Sequence, residues 1–94
     1  MVQKVFYLPF SQYRNLLKPA MVDEGLAERV TNPEVINGNV EFYHLKGLGA
    51  SLLYSGKGLA TIAGNSEDSI KRAKSKLEKI SGARLAETKF KQNG

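Results

Sequence analysis

The segment from Leu52 to Gly64 constrains the fold more than any other part of the chain. It reads LLYSGKGLATIAG, so that two apolar runs flank a short turn with two glycines. Two strand-forming runs separated by a few residues that include glycine are typical of a β-hairpin. The chain is therefore expected to contain an antiparallel strand pair whose turn presents Lys57.

The same turn resembles a phosphate-binding loop only superficially. Such a loop has glycine, four further residues and then Gly-Lys-Ser/Thr. When Gly56 and Lys57 are aligned with the Gly-Lys of the motif, Ser51 occupies the position of the first glycine. Gly58 occupies the position that requires serine or threonine. A phosphate loop also opens a helix, whereas this turn precedes a strand. The stretch GLGAS at 47–51 likewise lacks the third glycine and the helix of a dinucleotide-binding loop.

The order of the other elements predicts the fold class. Residues 2–10 (VQKVFYLPF) have a strand composition, and residues 11–30 show helical spacing that Pro19 interrupts. A second strand is expected over 39–47, before the hairpin, and a helix follows from about Ser66 to Ser81, with Asn65 as its cap and Gly82 as its stop. The pattern β-α-β-β-β-α predicts an α+β fold with helices on one face of an antiparallel sheet, leaving the other face open.

Size and composition limit what else the chain can be. A chain of 94 residues is too short for two domains with separate cores, so we expect one domain over residues 1–85 and a frayed, polar and basic tail over 86–94. The apolar fraction of 41% and the charged fraction of 24% are typical of a globular protein. The net charge of +5 and the pI near 9.6 suit anionic partners.

The sequence contains no recognisable catalytic or metal-binding set. Cysteine is absent, and the single histidine, His44, cannot form a metal site alone. Glu24 and Glu28 share a helical face with Arg29 nearby, which favours surface ion pairs over acid-base catalysis. We therefore expect a protein that is not an enzyme and that has no metal or cofactor.

No feature of the sequence predicts an association with membranes. No apolar stretch approaches the roughly 18 residues that a spanning helix needs, and the first ten residues lack the pattern of a signal peptide. A soluble, cytoplasmic protein is the expectation.

Alternation along the first strand and the hairpin predicts an exposed, largely apolar surface. Its members are Lys4, Phe6, Leu8, Leu52, Tyr54, Leu59 and Thr61. An exposed apolar patch bordered by lysines usually marks an interaction site. The alternatives are that this set packs against a second copy of the chain, or that one strand faces the other way.

The last predicted helix combines an apolar stripe with a strongly basic remainder. Ile70, Ala73, Leu77 and Ile80 form the stripe, and Lys71, Arg72, Lys74, Lys76 and Lys79 occupy the other positions. Charge runs of this kind usually form a solvated outer surface, and we interpret this one in that way.

Several stretches together resemble one repeat of the TATA-box-binding protein. Residues 52–80 (LLYSGKGLATIAGNSEDSIKRAKSKLEKI) follow that family's order of apolar strand, Ser-Gly-Lys turn, second strand and Ser-Glu-opened helix. VQKV at 2–5 resembles its first strand, and NPEVI at 32–36 occupies the place of its Asn-Pro. The likeness covers most of residues 2–81. This chain therefore corresponds to one repeat, whereas the family has two.

The resemblance implies a curved antiparallel sheet whose open face lies in the minor groove of DNA, with wedge side chains that bend the duplex. The groove-facing positions correspond to Phe6, Leu8, Leu59 and Thr61, one wedge phenylalanine to Tyr54, and the turn lysine near phosphate to Lys57. Lys4 stands where the family has a base-reading asparagine, and Ile36 or Asn37 stands at the other wedge. The turn is one residue shorter, and a shift of one residue would move Tyr54 to the other face.

A single repeat also implies a partner. Two copies that pair first strand to first strand would rebuild a two-repeat sheet, so a homodimer is expected. The leading functional hypothesis is binding of double-stranded DNA by the open face. The alternatives are a protein-interaction module that uses the same face, and binding of RNA or RNA–DNA hybrids through stacking of bases on Tyr54 and Phe6.

Overall fold

The computed structural model describes residues 1–30 and 40–88, and for residues 27–30 it describes the backbone alone. The strands are β1 (Val2–Tyr7), β2 (Ala27–Val30), β3 (Val40–Leu45), β4 (Ala50–Ser55), β5 (Leu59–Gly64) and β6 (Ala86–Glu87). The helices are α1 (Phe10–Gln12), a π-helical segment (Tyr13–Leu17), α2 (Lys18–Asp23) and α3 (Glu67–Ser81). The α+β class expected from the sequence is confirmed.

The strands form one antiparallel sheet in the order β2-β3-β4-β5-β1-β6. β3, β4 and β5 follow one another as a meander, and β1 pairs with β5 along its whole length, from Val2 opposite Gly64 to Tyr7 opposite Leu59. The predicted hairpin between β4 and β5 is confirmed. β6 adds two residues to the outer side of β1, opposite Phe6 and Tyr7.

One long helix, α3, covers β5, β4 and β1. Its apolar stripe is buried at Ile70, Ala73 and Leu77, as the spacing predicts. The cap is Ser66, whose hydroxyl accepts a hydrogen bond from the Ser69 N–H at 3.2 Å. The prediction of Asn65 as the cap is therefore wrong by one residue.

The end of α3 is the predicted one. Gly82 adopts φ 74° and donates its N–H to the Glu78 carbonyl at 2.9 Å. This left-handed conformation costs glycine little, so it ends the helix at Ser81.

The first helical segment, from Phe10 to Asp23, contains a wider turn before its proline. The Lys18 N–H donates to the carbonyl of Tyr13, five residues back, which is a π-helical bond. Pro19 follows directly and has no N–H with which to continue an α-helical ladder. Pro19 therefore interrupts the ladder, and the chain stays helical up to Asp23.

The prediction that residues 19–30 form one helix is wrong. α2 ends at Asp23, Gly25 adopts φ 62°, and the chain continues as β2 beside β3. The Gly25 N–H donates to Val22 and the Leu26 N–H donates to Met21, both at 3.1 Å. These two bonds around a left-handed glycine form a Schellman motif, which reverses the chain in place of a further helical turn.

The core lies between the helices and one face of the sheet. Its largest fully buried side chains are Tyr13, Tyr43, Tyr54, Phe6, Leu8, Leu17, Met21, Leu45, Leu52, Ile62 and Leu77. β6 lies within residues 86–94, which were predicted as a frayed tail, so the described part of that tail, 86–88, includes a short strand. Residues 89–94 lie outside the described residues.

Candidate binding face

The side of the sheet that faces away from the helices is called the open face here. The strand register places on it Gln3, Val5, Tyr7, Val40, Phe42, His44, Ser51, Leu53, Ser55, Leu59, Thr61 and Ala63. These residues are half-buried or exposed, whereas the positions that alternate with them are buried except for Val2, Lys4 and Glu41. The open face is therefore a surface formed by four adjacent strands.

The open face is apolar at its centre and carries no charged carboxylate, lysine or arginine among those twelve positions. Its central row runs across the strands as Val5, Thr61, Leu53 and Phe42. The neighbouring row begins with Tyr7, whose side chain is 50% exposed. A contiguous apolar surface of this kind, left uncovered by residues 1–30 and 40–88, is typical of an interaction site.

Only some of the residues predicted for this surface lie on it. Leu59 and Thr61 do. The prediction is wrong for Phe6, Leu8 and Tyr54, which are 1%, 0% and 1% exposed on the helix-covered side. Leu52, predicted beside them, is buried there as well.

The register of the β4–β5 turn explains this correction. Ser55 pairs with Leu59 across a turn of three residues, 56–58, so Tyr54 pairs with Ala60. Residues directly opposite each other point to the same face of a sheet. Tyr54 consequently faces the helices, and Leu53 takes its place beside Thr61.

Tyr54 is held in the core by two contacts. Its ring stacks on that of Tyr13, and its hydroxyl donates to the Leu8 carbonyl at 2.7 Å. Burial raises the pKa of Tyr54. A side chain fixed in this way cannot act as a wedge or a stacking platform for a base while the fold is intact.

Lys4 also lies away from the open face. It shares the strand face of Phe6, at the margin of the helix-covered layer, and its Nζ is 5.9 Å from the centre of the Phe6 ring. Its ammonium pairs with Glu87 at 2.5 Å, and this hydrogen bond lowers the pKa of the Glu87 carboxyl. The prediction that Lys4 borders the binding surface together with Leu59 is therefore wrong.

Two lysines lie at opposite ends of the open face. Lys57 is exposed in the turn between β4 and β5, as predicted. Lys46 is exposed in the turn between β3 and β4, at the other end of β4. Sequence reasoning missed Lys46, although the glycines at 47 and 49 mark that turn in the same way as those around Lys57.

Sequence reasoning also missed the centre of the open face. The predicted exposure of Phe6, Leu52 and Tyr54 puts Val5, Tyr7 and Leu53 on the covered side by alternation, although both faces of these strands carry apolar side chains. The available signal was the row of small residues Ala60 and Gly64. A side chain on Gly64 would come within 3.1 Å of the Ser69 Cβ, so this side of β5 lies against α3.

A partly buried polar cluster joins the first helical segment to β3 on the covered side. The Tyr13 hydroxyl donates to Glu41 and lies 2.9 Å from the Tyr43 hydroxyl, and the Lys18 ammonium lies 3.0 Å from the second Glu41 oxygen. Burial, followed by the hydrogen bond to Glu41, raises the pKa of Tyr13, and burial also raises the pKa of Tyr43. The cluster therefore holds neutral phenols in place rather than supplying a phenolate for chemistry.

The described residues supply no site for a metal. His44 is exposed on the open face, and residues 1–30 and 40–88 contain no group of three His, Cys, Asp or Glu side chains able to hold an ion. Over the same part of the chain, no helix has the length and apolar character needed to cross a bilayer. Ile36 and Asn37, the proposed second wedge positions, lie outside the described residues.

Comparison of the chain with protein-family models, with curated proteins and with solved structures gives no match.

Proposed function

We propose that this protein is a non-enzymatic nucleic-acid-binding protein that holds a duplex against the open face of its sheet. The observation that carries the proposal is an apolar sheet face that the described part of the chain leaves uncovered, with an exposed lysine turn at each end. Apolar strand faces can enter a widened minor groove, while lysines at the margin contact phosphates. The net charge of +5 favours such a partner.

The roles of individual residues follow from their positions. Val5, Leu53 and Thr61 form the centre that contacts base edges and sugars, and Lys46 and Lys57 contact phosphates on either side. The resemblance to one repeat of the TATA-box-binding protein supports the roles of Thr61 and Lys57, and we propose the curved half-saddle of that family as the finer description of the fold. Double-stranded DNA is the partner that this resemblance favours.

A homodimer through the first strand is a separate proposal. Among the described residues, which end at 88, β6 pairs with Phe6 and Tyr7 alone, and the Thr88 hydroxyl donates to the Val5 carbonyl at 3.0 Å. The part of β1 from Val2 to Lys4 extends beyond this pairing and offers an edge to a second copy. Light scattering coupled to size-exclusion chromatography is expected to give twice the chain mass at micromolar concentration, and a monomer would contradict the proposal.

A protein partner is the second candidate, because none of the twelve described positions of the open face on β1, β3, β4 and β5 carries a lysine or arginine. An apolar protein surface would fit this uncharged centre without any need for charge. In that case the basic surfaces outside the open face would have a different role.

Two substitutions of Leu53 separate the candidates. Leu53→Glu and Leu53→Lys remove the same apolar side chain and introduce opposite charges at the centre of the open face. A phosphate-bearing partner is expected to bind the glutamate variant at least about tenfold more weakly than the lysine variant, since a like charge near phosphates costs more than about 1.4 kcal/mol in this setting. An apolar protein partner would be weakened by both to a similar degree.

The measurement is fluorescence anisotropy with a labelled 20-base-pair duplex at low salt. Competition with single-stranded DNA and with an RNA–DNA hybrid of the same sequence identifies the preferred form. Equal affinities of the glutamate and lysine variants would contradict duplex binding by the open face. Preference for the single strand or for the hybrid would replace duplex DNA with that ligand.

A further inference from the structure

The outer side of α3 carries a second charged surface, called the α3 stripe here. It consists of Lys71, Arg72, Lys76 and Lys79, all exposed. At about 100° and 1.5 Å per residue, these four positions span an arc of about 140° and a length of about 12 Å. Ile70, Ala73 and Leu77 are buried on the opposite side of the helix, so the stripe faces away from the sheet.

No carboxylate of the described residues forms an ion pair with the α3 stripe. Lys74, the remaining lysine of the helix, pairs with Glu78 at 3.5 Å, and Glu78 also accepts the Leu85 N–H at 2.9 Å. Within residues 1–30 and 40–88, none of the four stripe cations lies within ion-pair distance of a carboxylate. Four positive charges therefore stand close together in solvent.

The composition of the stripe differs from that of an ordinary solvated helix surface. Surfaces that serve solubility alone usually mix charges of both signs. From Lys71 to Lys79 the outward positions hold only these cations and Ser75, while the acidic residues Glu67 and Asp68 lie in the first turn. The resulting field favours an extended polyanion over a neutral or apolar partner.

The stripe and the open face lie on opposite sides of the molecule. α3 packs on the side of the sheet that buries Phe6, Ala60 and Ile62, and the open face is the other side. A ligand bound to one surface therefore leaves the other accessible.

We propose that the α3 stripe binds the phosphate backbone of a nucleic acid, independently of the open face. The occupant follows from charge complementarity, because a nucleic acid presents closely spaced phosphates along a line and the stripe presents four cations along about 12 Å. With both surfaces occupied, one molecule holds two nucleic-acid segments.

The test compares two double variants with equal net charge. Arg72→Gln/Lys76→Gln removes two stripe cations with residues that keep helix propensity, and Arg14→Gln/Arg84→Gln removes two exposed cations elsewhere. Affinity for a 20-base-pair duplex is measured from 50 to 300 mM salt. The stripe variant is expected to reduce the slope of log K against log salt by up to about 1.8, and the control variant to leave it unchanged.

A capture assay tests the two-segment arrangement. Protein is bound to a duplex on beads, and retention of a second, labelled duplex is measured. The stripe variant is expected to lose at least about tenfold of this retention, whereas a homodimer that bridged through two open faces would retain it in the stripe variant. Circular dichroism establishes that each variant keeps its helix content.

The outcomes separate this inference from the proposed function. An unchanged salt slope together with unchanged capture in the stripe variant overturns the inference and leaves duplex binding by the open face intact. A reduced slope in the stripe variant, combined with unchanged affinity in Leu53→Glu, supports the stripe and overturns the open face. Failure to bind any duplex or single strand at 50 mM salt overturns both.

Discussion

The rings of Tyr13 and Tyr54 lie stacked, with their centroids 3.8 Å apart and their planes 6° from parallel. Tyr13 belongs to the first helical segment and Tyr54 lies one residue before the end of β4, so the stack fixes which face of β4 meets the helices. It thereby also determines that Leu53, the preceding residue, lies on the open face.

Removal of the Tyr54 hydroxyl is expected to reduce stability without affecting ligand binding. Tyr54→Phe keeps the stacked ring but leaves the buried Leu8 carbonyl without its 2.7 Å hydrogen bond, which should cost about 1–2 kcal/mol. Urea unfolding measures this loss, and Tyr7→Phe, at a half-exposed position, serves as the control with a change within about 0.5 kcal/mol. A drop in duplex affinity with unchanged stability would instead place Tyr54 on the binding surface.

The buried tyrosines predict alkaline destabilisation. The pKa values of Tyr13, Tyr43 and Tyr54 are raised in the folded protein, chiefly by burial. Above about pH 10 the unfolded chain releases these phenolic protons while the folded protein keeps them. The free energy of unfolding therefore has its full value below about pH 10 and falls as the pH rises, by up to about 1.4 kcal/mol per pH unit for each tyrosine.

Urea unfolding at pH 8 to 11 measures this dependence. Lysines titrate in the same range, so Tyr43→Phe serves as the comparison, because it removes one buried phenol and no cation. The slope above pH 10 is expected to be shallower in this variant. Identical slopes for the two proteins would contradict the burial of an ionisable phenol at position 43.

The fold class can be predicted from the sequence, whereas the face of the sheet on which each strand residue lies cannot. Hydrophobic spacing was enough to locate α3 and the β4–β5 hairpin, because both have clear ends at Ser66, Gly82 and the glycine-rich turn. In β1 and β4, however, both faces carry apolar residues, so alternation has no preferred sign. Which face of β4 is covered then depends on whether the turn contains an odd or an even number of residues. The sequence pattern does not show which residues pair across the turn.

β2 was missed for a related reason. Val22 and Leu26 lie four residues apart, a spacing that suits a continuing helix, but Val22 is 62% exposed whereas Leu26 is buried. The reversal at Gly25, where the Leu26 N–H donates to the Met21 carbonyl, ends the helical register between them.

The β4–β5 turn is expected to tolerate a side chain at one glycine and not at the other. Gly58 has φ 89°, and a Cβ there would lie 3.1 Å from the Tyr7 ring, so Gly58→Ala should cost about 1–2 kcal/mol in urea unfolding. Gly56 does not adopt a positive φ, so Gly56→Ala is the matched control. Equal stability of the two variants would contradict the turn geometry that sets the register of Tyr54.

Tyr7 offers a direct chemical probe of the open face. The chain has four tyrosines and no tryptophan. Tyr7 is 50% exposed, whereas Tyr13, Tyr43 and Tyr54 are 2% exposed or less. Nitration with tetranitromethane, followed by peptide mass spectrometry, should therefore modify Tyr7 at least about tenfold faster than the other three, because the reagent needs access to the ring.

Bound duplex should then protect Tyr7, since its ring lies in the row next to the centre of the open face. The expected result is a several-fold slower nitration of Tyr7 at saturating duplex, and no such protection in Leu53→Glu at the same duplex concentration, because that variant leaves the face unoccupied. If the duplex binds with full affinity and Tyr7 reacts at its free rate, the ligand occupies another surface, and the α3 stripe becomes the principal nucleic-acid contact of the protein.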